Sequence, residues 1–175
     1  NNKKNIGYAG GINKGIKKIK NKKWDYILIL NNDIKLQKSS LANLIKNSIA
    51  PNAGIMGPRL KVDESRSLSG GIIDKKRYTA GHNHYNNNQK IGNIEADFLS
   101  GAVLLIKREV IEKIGLFDER FFLYYEDVDY CVRARKKGYK CLYIPRSIIM
   151  HNESSSITNK TKEYYLARNH LLFVE

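Results

Sequence analysis

Asp33 is a candidate ligand for a divalent cation. It ends the run Asn31-Asn32-Asp33, which follows directly after a short apolar stretch. A carboxylate beyond the end of a buried strand can hold a hard cation, particularly one that phosphate oxygens also bind. In an extended chain the side chains of Asn31 and Asp33 project to the same side. A plain Asn/Asp turn is the alternative, because both residue types favour turns on their own account.

Glu126 and Asp127 form an adjacent pair of carboxylates after the aromatic and apolar run 121–125. Acidic side chains suit the first turn of a helix, so each has a purely structural explanation. A carboxylate that is partly removed from water has a raised pKa and can then act as a general base. Both interpretations stay open on these residues alone.

His151 is the remaining candidate for chemistry. It follows an apolar stretch and Pro145, and a neutral imidazole could complete a cation site that Asp33 begins. A solitary histidine is more often a surface or core residue than a ligand. His82 and His84 lie in a polar stretch and are assigned no role.

The elements that must position these side chains alternate along the chain. Short continuous apolar runs predict buried strands at 24–30, 54–59, 98–107 and 141–144. Helical spacing, or a glycine at the end of the run, predicts helices at 12–20, 40–49, 108–114, 126–137 and 162–174. The stretch 65–94 is predicted to form a hairpin and then a flexible loop. Strands that alternate with helices indicate an α/β sheet, whose ligands bind beyond the carboxyl ends of the strands.

Composition narrows the class of protein. The 175 residues argue for one domain, and a hydrophobic fraction of 42% is enough to bury a core. The apolar runs are too short to cross a bilayer. No signal peptide is expected. Cys131 and Cys141 are expected to be reduced and buried. The formal net charge of +14 leaves nucleic acid, an anionic membrane surface or a phosphorylated small molecule as partners.

Taken together, the motifs resemble family 2 glycosyltransferases, and within that family the bacterial rhamnosyltransferase-type branch. The resemblance extends over nearly the whole chain, from 5 to 169. The segments that carry it are 5–15 (NIGYAGGINKG), 30–33 (LNND), 97–102 (DFLSGA), 115–122 (GLFDERFF), 125–129 (YEDVD) and His151.

This resemblance implies a GT-A fold, an α/β domain with a mixed, mostly parallel sheet flanked by helices. It implies an inverting transfer of a sugar, with rhamnose as the first candidate, from a nucleoside-diphosphate donor to a saccharide or lipid-linked acceptor in cell-surface polysaccharide synthesis. Mg²⁺ or Mn²⁺ would be the cofactor. The base would be Asp127, with Glu126 beside it. The other implied site residues are Asp33 and His151 for the metal, Gly11, Asn13, Asn31 and Asp33 for the donor, and Ser100, Gly101 and Tyr125 for the acceptor or sugar.

Two departures from the family pattern stand out. The first position of the family's Asp-x-Asp is Asn31, so the metal would depend mainly on Asp33. Nothing in 1–23 matches the strand-helix-strand that carries the family's nucleobase contact. We therefore expect 1–175 to be a single partial catalytic domain that lacks this nucleotide-binding segment.

Three other functions compete with this interpretation of the sequence. An inactive or binding-only glycosyltransferase fragment shares every motif, whereas a sugar-nucleotide pyrophosphorylase needs a glycine-rich, basic opening loop that the sequence lacks. A basic nucleic-acid-binding domain would cluster its cations with stacking aromatics, but the lysines are spread along the chain, so no nucleic-acid partner is expected. The positive charge fits a diphosphate donor and peripheral contact with an anionic membrane. The expected location is the cytoplasm, including the inner face of the membrane.

Overall fold

The computed structural model describes residues 4–63, 66–68, 70–77, 79–82, 92–151 and 158–174. The helices are α1 (Gly7–Ile19), α2 (Lys38–Asn47), α3 (Arg108–Ile114), α4 (Glu126–Lys136) and α5 (Asn159–Val174). The strands are β1 (Tyr26–Leu30), β2 (Ile34–Lys35), β3 (Ala53–Lys61), β4 (Ser67–Leu68), β5 (Gly71–Asp74), β6 (Thr79–His82), β7 (Ile94–Ala96), β8 (Val103–Lys107) and β9 (Lys140–His151).

Seven of these strands form one mixed sheet with the order β1-β8-β3-β9-β2, in which β4 pairs with β3 and β7 with β9. The longest ladder, between β3 and β9, is parallel. The other described pairings in this sheet are antiparallel. The α/β class and the mixed sheet are therefore confirmed, with one difference of detail, because parallel pairing is confined to the β3–β9 ladder.

The sheet is buried on both faces, which explains why its central strands are continuous apolar runs. Successive residues of β8 point to opposite faces. Leu104 and Ile106 join a cluster that includes Val110 of α3, whereas Val103 and Leu105 join a second cluster with Leu44 of α2. These two cores fix the sheet between helices and leave the strand ends to form a site.

Strand β9 is longer than the sequence predicts. Pro145 was expected to end it, but the strand runs on to His151. The parallel ladder shifts register here, from the pair Pro58–Ile144 to the pair Arg59–Ile148, so an irregularity accommodates the proline. Pairing continues beyond this irregularity, which places His151 on a strand.

Several smaller predictions are also settled by the structure. The hairpin is confirmed as β5–β6, whereas the loop predicted after it, with His84, lies at 83–91, outside the described residues. Gly115 and Gly138, which follow the ends of α3 and α4, have positive φ of 80° and 89°. Cys131 and Cys141 are both free and buried. In the described part of the chain, no helix has the length and apolar character needed to cross a membrane.

Candidate active site

The Asp127 carboxylate lies against the turn that precedes β8. Its Oδ2 accepts a hydrogen bond from the Gly101 backbone N–H at 2.7 Å, and its Oδ1 accepts one from the Val128 N–H at 2.9 Å. A Cβ atom at position 101 would lie 3.3 Å from Asp127 Oδ2 and 3.4 Å from the Tyr8 ring. The close approach of carboxylate and backbone therefore depends on glycine at this position.

Glu126, the neighbour of Asp127, is in a different environment. It is 5% exposed, and within the described part of the chain its Oε2 has no hydrogen-bond partner. Burial, reinforced by the charge of Asp127, raises the pKa of Glu126 to about 8. Burial favours the neutral form of a carboxyl group, and the backbone N–H of Glu126 itself opposes this only in part.

The charged forms of the two carboxyl groups are stabilised to different extents. Burial also raises the pKa of Asp127, but the Gly101 and Val128 N–H groups oppose that effect because they stabilise the charged form. The backbone N–H groups thus favour charge on Asp127, and the charge of Asp127 favours the proton on Glu126. Such a separation of two neighbouring carboxyl groups is how an acid and a base are distinguished in one site.

The start of α1 completes the wall around Asp127. Gly7 has a φ of 76°, and a Cβ there would lie 2.5 Å from the Phe122 carbonyl oxygen. The next backbone N–H, of Tyr8, donates to that carbonyl at 2.7 Å. This contact holds α1 against the segment before α4. As a result the Tyr8 hydroxyl donates to the Gly101 carbonyl oxygen.

The predicted metal ligands meet because β2 pairs with the end of β9. The register places Ile34 opposite His151, and the residue before Ile34 then brings Asp33 Oδ1 to 3.3 Å from His151 Nε2. His151 is 8% exposed, and its Nδ1 has no hydrogen-bond partner among the described residues. It is the other ring nitrogen, Nε2, that faces Asp33, so Nε2 is the candidate ligand atom.

The spacing of these two atoms fits a shared cation. Two ligands at right angles, each about 2.1 Å from a metal, are about 3 Å apart. Within the described residues no cluster of three or more His, Cys, Asp or Glu side chains could hold a metal. Asp33 and His151 are the two side chains predicted to hold it. This arrangement suits Mg²⁺ or Mn²⁺, which are commonly held by one or two protein groups together with substrate phosphates and water.

The turn before β8 joins the two ends of the site. Gly101 bonds to Asp127, and the next residue, Ala102, accepts a hydrogen bond from the Asn31 N–H at 3.0 Å. Ser100 stabilises the same turn, since its Oγ accepts from the Ala102 N–H at 3.3 Å. One continuous set of contacts therefore runs from the base candidate to the strand end that carries the metal candidates.

The Asn13 side chain, which is predicted to contact the donor, makes several hydrogen bonds within the chain. It is 2% exposed, and its amide donates to the Phe117 carbonyl at 2.8 Å and to Glu119 Oε1 at 2.9 Å. Its Oδ1 accepts from the Phe117 N–H at 3.0 Å. The Asn13 side chain is thus occupied in holding the loop before α4.

Two further predicted residues lie at the margin of these contacts. Gly11 is exposed on α1, and it lines a groove of about 540 Å³ between α1 and β1. The Tyr125 ring packs on α5, with ring centroids 6.0 Å from His170 and 5.6 Å from Phe173. The roles predicted for Gly11 and Tyr125 stay predictions.

Another cavity of about 800 Å³ lies against a different side of α4. Asp129, Arg133 and Lys136 are among its lining residues. Arg133 is paired with Asp129 at 2.8 Å, and none of the predicted site residues lines this cavity. It is therefore separate from the site around Asp127.

Comparison with known proteins gives a family match. The family described as "Glycosyltransferase like family 2" matches residues 3–166. A low-salt glycan biosynthesis hexosyltransferase of Haloferax volcanii is 29% identical over 141 residues, covering 77% of this chain and 45% of that protein. An N-acetylglucosaminyl-diphospho-decaprenol L-rhamnosyltransferase of Mycobacterium tuberculosis is 26% identical over 190 residues, covering 95% of this chain. The chain spans 62% of the length of this second relative.

Solved structures show the same fold. GalNAc-T7, determined with UDP, GalNAc and Mn²⁺, superposes with a TM-score of 0.71 at 15% identity over 89% of this chain and 32% of that one. The mannosyltransferase PcManGT of Pyrobaculum calidifontis, in complex with GDP-Man and Mn²⁺, gives a TM-score of 0.61 at 15% identity. That match covers 94% of this chain and 41% of the other. The predicted GT-A-type fold is confirmed.

Proposed function

Because the chain belongs to glycosyltransferase-like family 2, we propose that it transfers a sugar from a nucleoside-diphosphate donor to a saccharide or lipid-linked acceptor, with inversion at the anomeric carbon. Rhamnose is the sugar we favour, since one relative is an L-rhamnosyltransferase that is 26% identical over 190 residues. The product would be part of a cell-surface glycan.

The observation that carries this proposal is the environment of Asp127. Its charged carboxylate is stabilised by two N–H donors, whereas burial and the charge of Asp127 favour the proton on Glu126, so Asp127 is the better candidate to accept a proton. Asp127 would take the proton of the acceptor hydroxyl as that oxygen attacks the anomeric carbon. The bond from that carbon to the diphosphate breaks on the opposite face, and the diphosphate leaves. Attack and departure on opposite faces give inversion.

The other end of the site would bind the diphosphate. Asp33 and His151 would hold Mg²⁺ or Mn²⁺, which when bound neutralises the charge that grows on the leaving group. Both solved neighbours were determined with Mn²⁺ and a nucleotide or nucleotide sugar, which supports this choice of ligand and cofactor. Asn31, two residues before Asp33, would lie beside the donor, and its backbone N–H is bonded to the Ala102 carbonyl.

We propose that the nucleotide is bound partly by a strand-helix-strand beyond the 175 residues, and that 1–175 is part of one catalytic domain. In the described part of the chain, β1 pairs with β8 on one edge and with no strand on the other. The groove between α1 and β1 borders this free edge, and Cβ atoms at Gly11 and Gly15 would meet nothing within 4 Å. A strand could pair with β1 there, and a ligand or backbone could approach the two glycines closely.

A cytoplasmic location with peripheral membrane contact is part of the same proposal. The two free, buried cysteines suit a reducing compartment. The net charge of +14 would favour an anionic membrane surface, where lipid-linked acceptors lie.

A transfer assay with the full-length protein tests the function. Purified enzyme would be supplied with a panel of nucleoside-diphosphate sugars and a lipid-linked acceptor, with Mn²⁺, with Mg²⁺ or with a chelator. Asp127→Asn keeps an oxygen for the Gly101 N–H but removes the base, so transfer should fall by about 10²- to 10⁴-fold. Donor binding, followed by calorimetry, should persist.

The matched control is Asp25→Asn, the same substitution at an exposed position, which should leave transfer unchanged. Turnover retained in Asp127→Asn would rule out Asp127 as the base. Donor binding without any transfer in the wild type would instead favour the binding-only alternative. Asp33→Asn should weaken metal-dependent donor binding, and unchanged metal dependence would place the cation elsewhere.

A further inference from the structure

The turn that leads into α4 has an unusual backbone. Tyr124 and Tyr125 have φ of 67° and 70°, so two consecutive tyrosines adopt the left-handed conformation. Bulky residues rarely adopt it, and it persists where the surrounding structure holds it in place. Helix α4 begins at the next residue, Glu126. The direction of this turn therefore determines where the Glu126–Asp127 pair lies.

Asn169 on α5 holds this turn directly. Its side-chain amide donates to the Leu123 carbonyl at 2.7 Å and to the Tyr124 carbonyl at 2.8 Å. Asn169 is completely buried, and an asparagine amide has two N–H donors, so both are used on consecutive carbonyls. Its Oδ1 accepts a hydrogen bond from Arg168 at 3.1 Å, which fixes the orientation of the amide.

Helix α5 also contacts the residues on either side of the turn. Arg168 donates to the Arg120 carbonyl at 3.1 Å, and the Tyr165 ring stacks on Phe122 with centroids 5.2 Å apart. Tyr125 stacks on His170, one residue after Asn169. Helix α5 therefore contacts the segment 120–125 at both of its ends and within it.

Further hydrogen bonds connect this segment to the proposed base. The Phe122 carbonyl accepts from the Tyr8 N–H, and the Tyr8 hydroxyl donates to Gly101, whose N–H in turn donates to Asp127. A change in the turn would thus move Asp127 relative to its partner on β8. A shift of about 1 Å at a reacting group can lower the rate about 10²-fold.

We infer that Asn169 is a positioning residue for the transfer reaction, because it holds the left-handed turn that sets Asp127 against Gly101. Its kinetic consequence depends on the proposed function, whereas its structural consequence does not. The donor end of the site, at Asp33 and His151, is built on strands, and the contacts described for Asn169 do not include it.

The kinetic test uses the full-length enzyme with Asn169→Asp and Asn169→Ala. The aspartate is almost the same shape but presents acceptors to two carbonyl oxygens, and the alanine removes both donors. We expect kcat per folded molecule to fall about 10- to 100-fold while the donor KM changes by less than about twofold. Asn159→Asp, at the exposed first residue of the same helix, is the control and should behave as wild type.

Hydrogen exchange at the Gly101 amide gives a second measurement that does not need activity. That amide donates to Asp127, so its exchange should become faster in both Asn169 variants. An unchanged Gly101 amide and an unchanged kcat, with only a lower Tm, would show that Asn169 merely stabilises the fold. If the wild type transfers no sugar, the proposed function fails, and the exchange measurement still decides the role of Asn169.

A rescue variant tests the route through the turn. Asparagine tolerates the left-handed region better than tyrosine, so Tyr124→Asn in the Asn169→Ala background should restore part of kcat and part of the Gly101 protection. Recovery supports the inference. A double variant no better than Asn169→Ala would overturn it, because the turn would then not be what Asn169 controls.

Discussion

Replacing Glu126 by glutamine should change how the stability of the protein depends on pH. Burial and the charge of Asp127 raise the pKa of Glu126 to about 8 from a reference value of 4.5. Below pH of about 4.5 the group is protonated in both the folded and the unfolded states and costs nothing. As the pH rises further, the unfolded chain loses this proton first, so the folded state is progressively destabilised until about pH 8.

The magnitude follows from the displaced pKa. Each pKa unit is worth about 1.36 kcal/mol, so the full penalty approaches about 5 kcal/mol at high pH. The part that develops between pH 5 and pH 8 is about 3–4 kcal/mol. Glutamine is uncharged at every pH, so the Glu126→Gln variant has no such penalty. The free energy of unfolding of Glu126→Gln should therefore rise relative to wild type by about that amount across this interval.

Urea denaturation of both proteins at pH 5, 6, 7 and 8 measures this difference. A constant offset between them reports only how well the glutamine amide fits, whereas the change of the offset with pH reports the ionisation of Glu126. Glu163→Gln, at an exposed position on α5, is the matched control and should run parallel to wild type. Parallel curves for Glu126→Gln would refute the reasoning, because Glu126 would then ionise as an ordinary exposed carboxyl group.

Two other substitutions distinguish contacts that serve catalysis from contacts that serve the fold. Gly101→Ala would place a Cβ 3.3 Å from Asp127 Oδ2 and 3.4 Å from the Tyr8 ring, so these groups must move by a few tenths of an ångström. Transfer should fall about tenfold in a folded enzyme with unchanged donor affinity, and an unchanged kcat would contradict this. Asn13→Asp should lower the free energy of unfolding by about 2 kcal/mol, since a carboxylate would face the Phe117 carbonyl. If Asn13 serves only the fold, donor affinity per folded molecule should stay the same, whereas a selective loss of donor binding would support its predicted contact with the donor.

The sequence predicted the elements that depend on local pattern. Short apolar runs marked β1, β3 and β8 because both faces of the sheet are covered, and glycines marked the ends of α3 and α4 because positive φ is required there. The residue types at Asp33 and Asp127 were also informative, since carboxylates after strand ends and at helix starts are positions where chemistry is common. These features could be predicted because each depends on a few neighbouring residues.

What the sequence did not predict depends on distant contacts. The Tyr8 hydroxyl meets a carbonyl 93 residues away, and the Asn169 amide meets a turn 45 and 46 residues before it. No local pattern marks either residue as part of the site. The contact of Asn13 with Phe117 was missed for the same reason, because the local sequence does not show that its amide is buried against a loop 104 residues away.

The two ends of the site are held by different kinds of structure, so we expect substitutions to affect donor binding and kcat differently. The donor end depends on the β2–β9 ladder, whose register fixes Asp33 beside His151. The base end depends on a turn in a sparsely populated conformation, which helices α1 and α5 hold from outside. His151 ends β9, which is held in register by its long parallel ladder with β3, whereas the turn before α4 is held by only a few partners. Substitutions that loosen the helices should therefore lower kcat before they weaken donor binding, and the base end should be the more easily altered by sequence change.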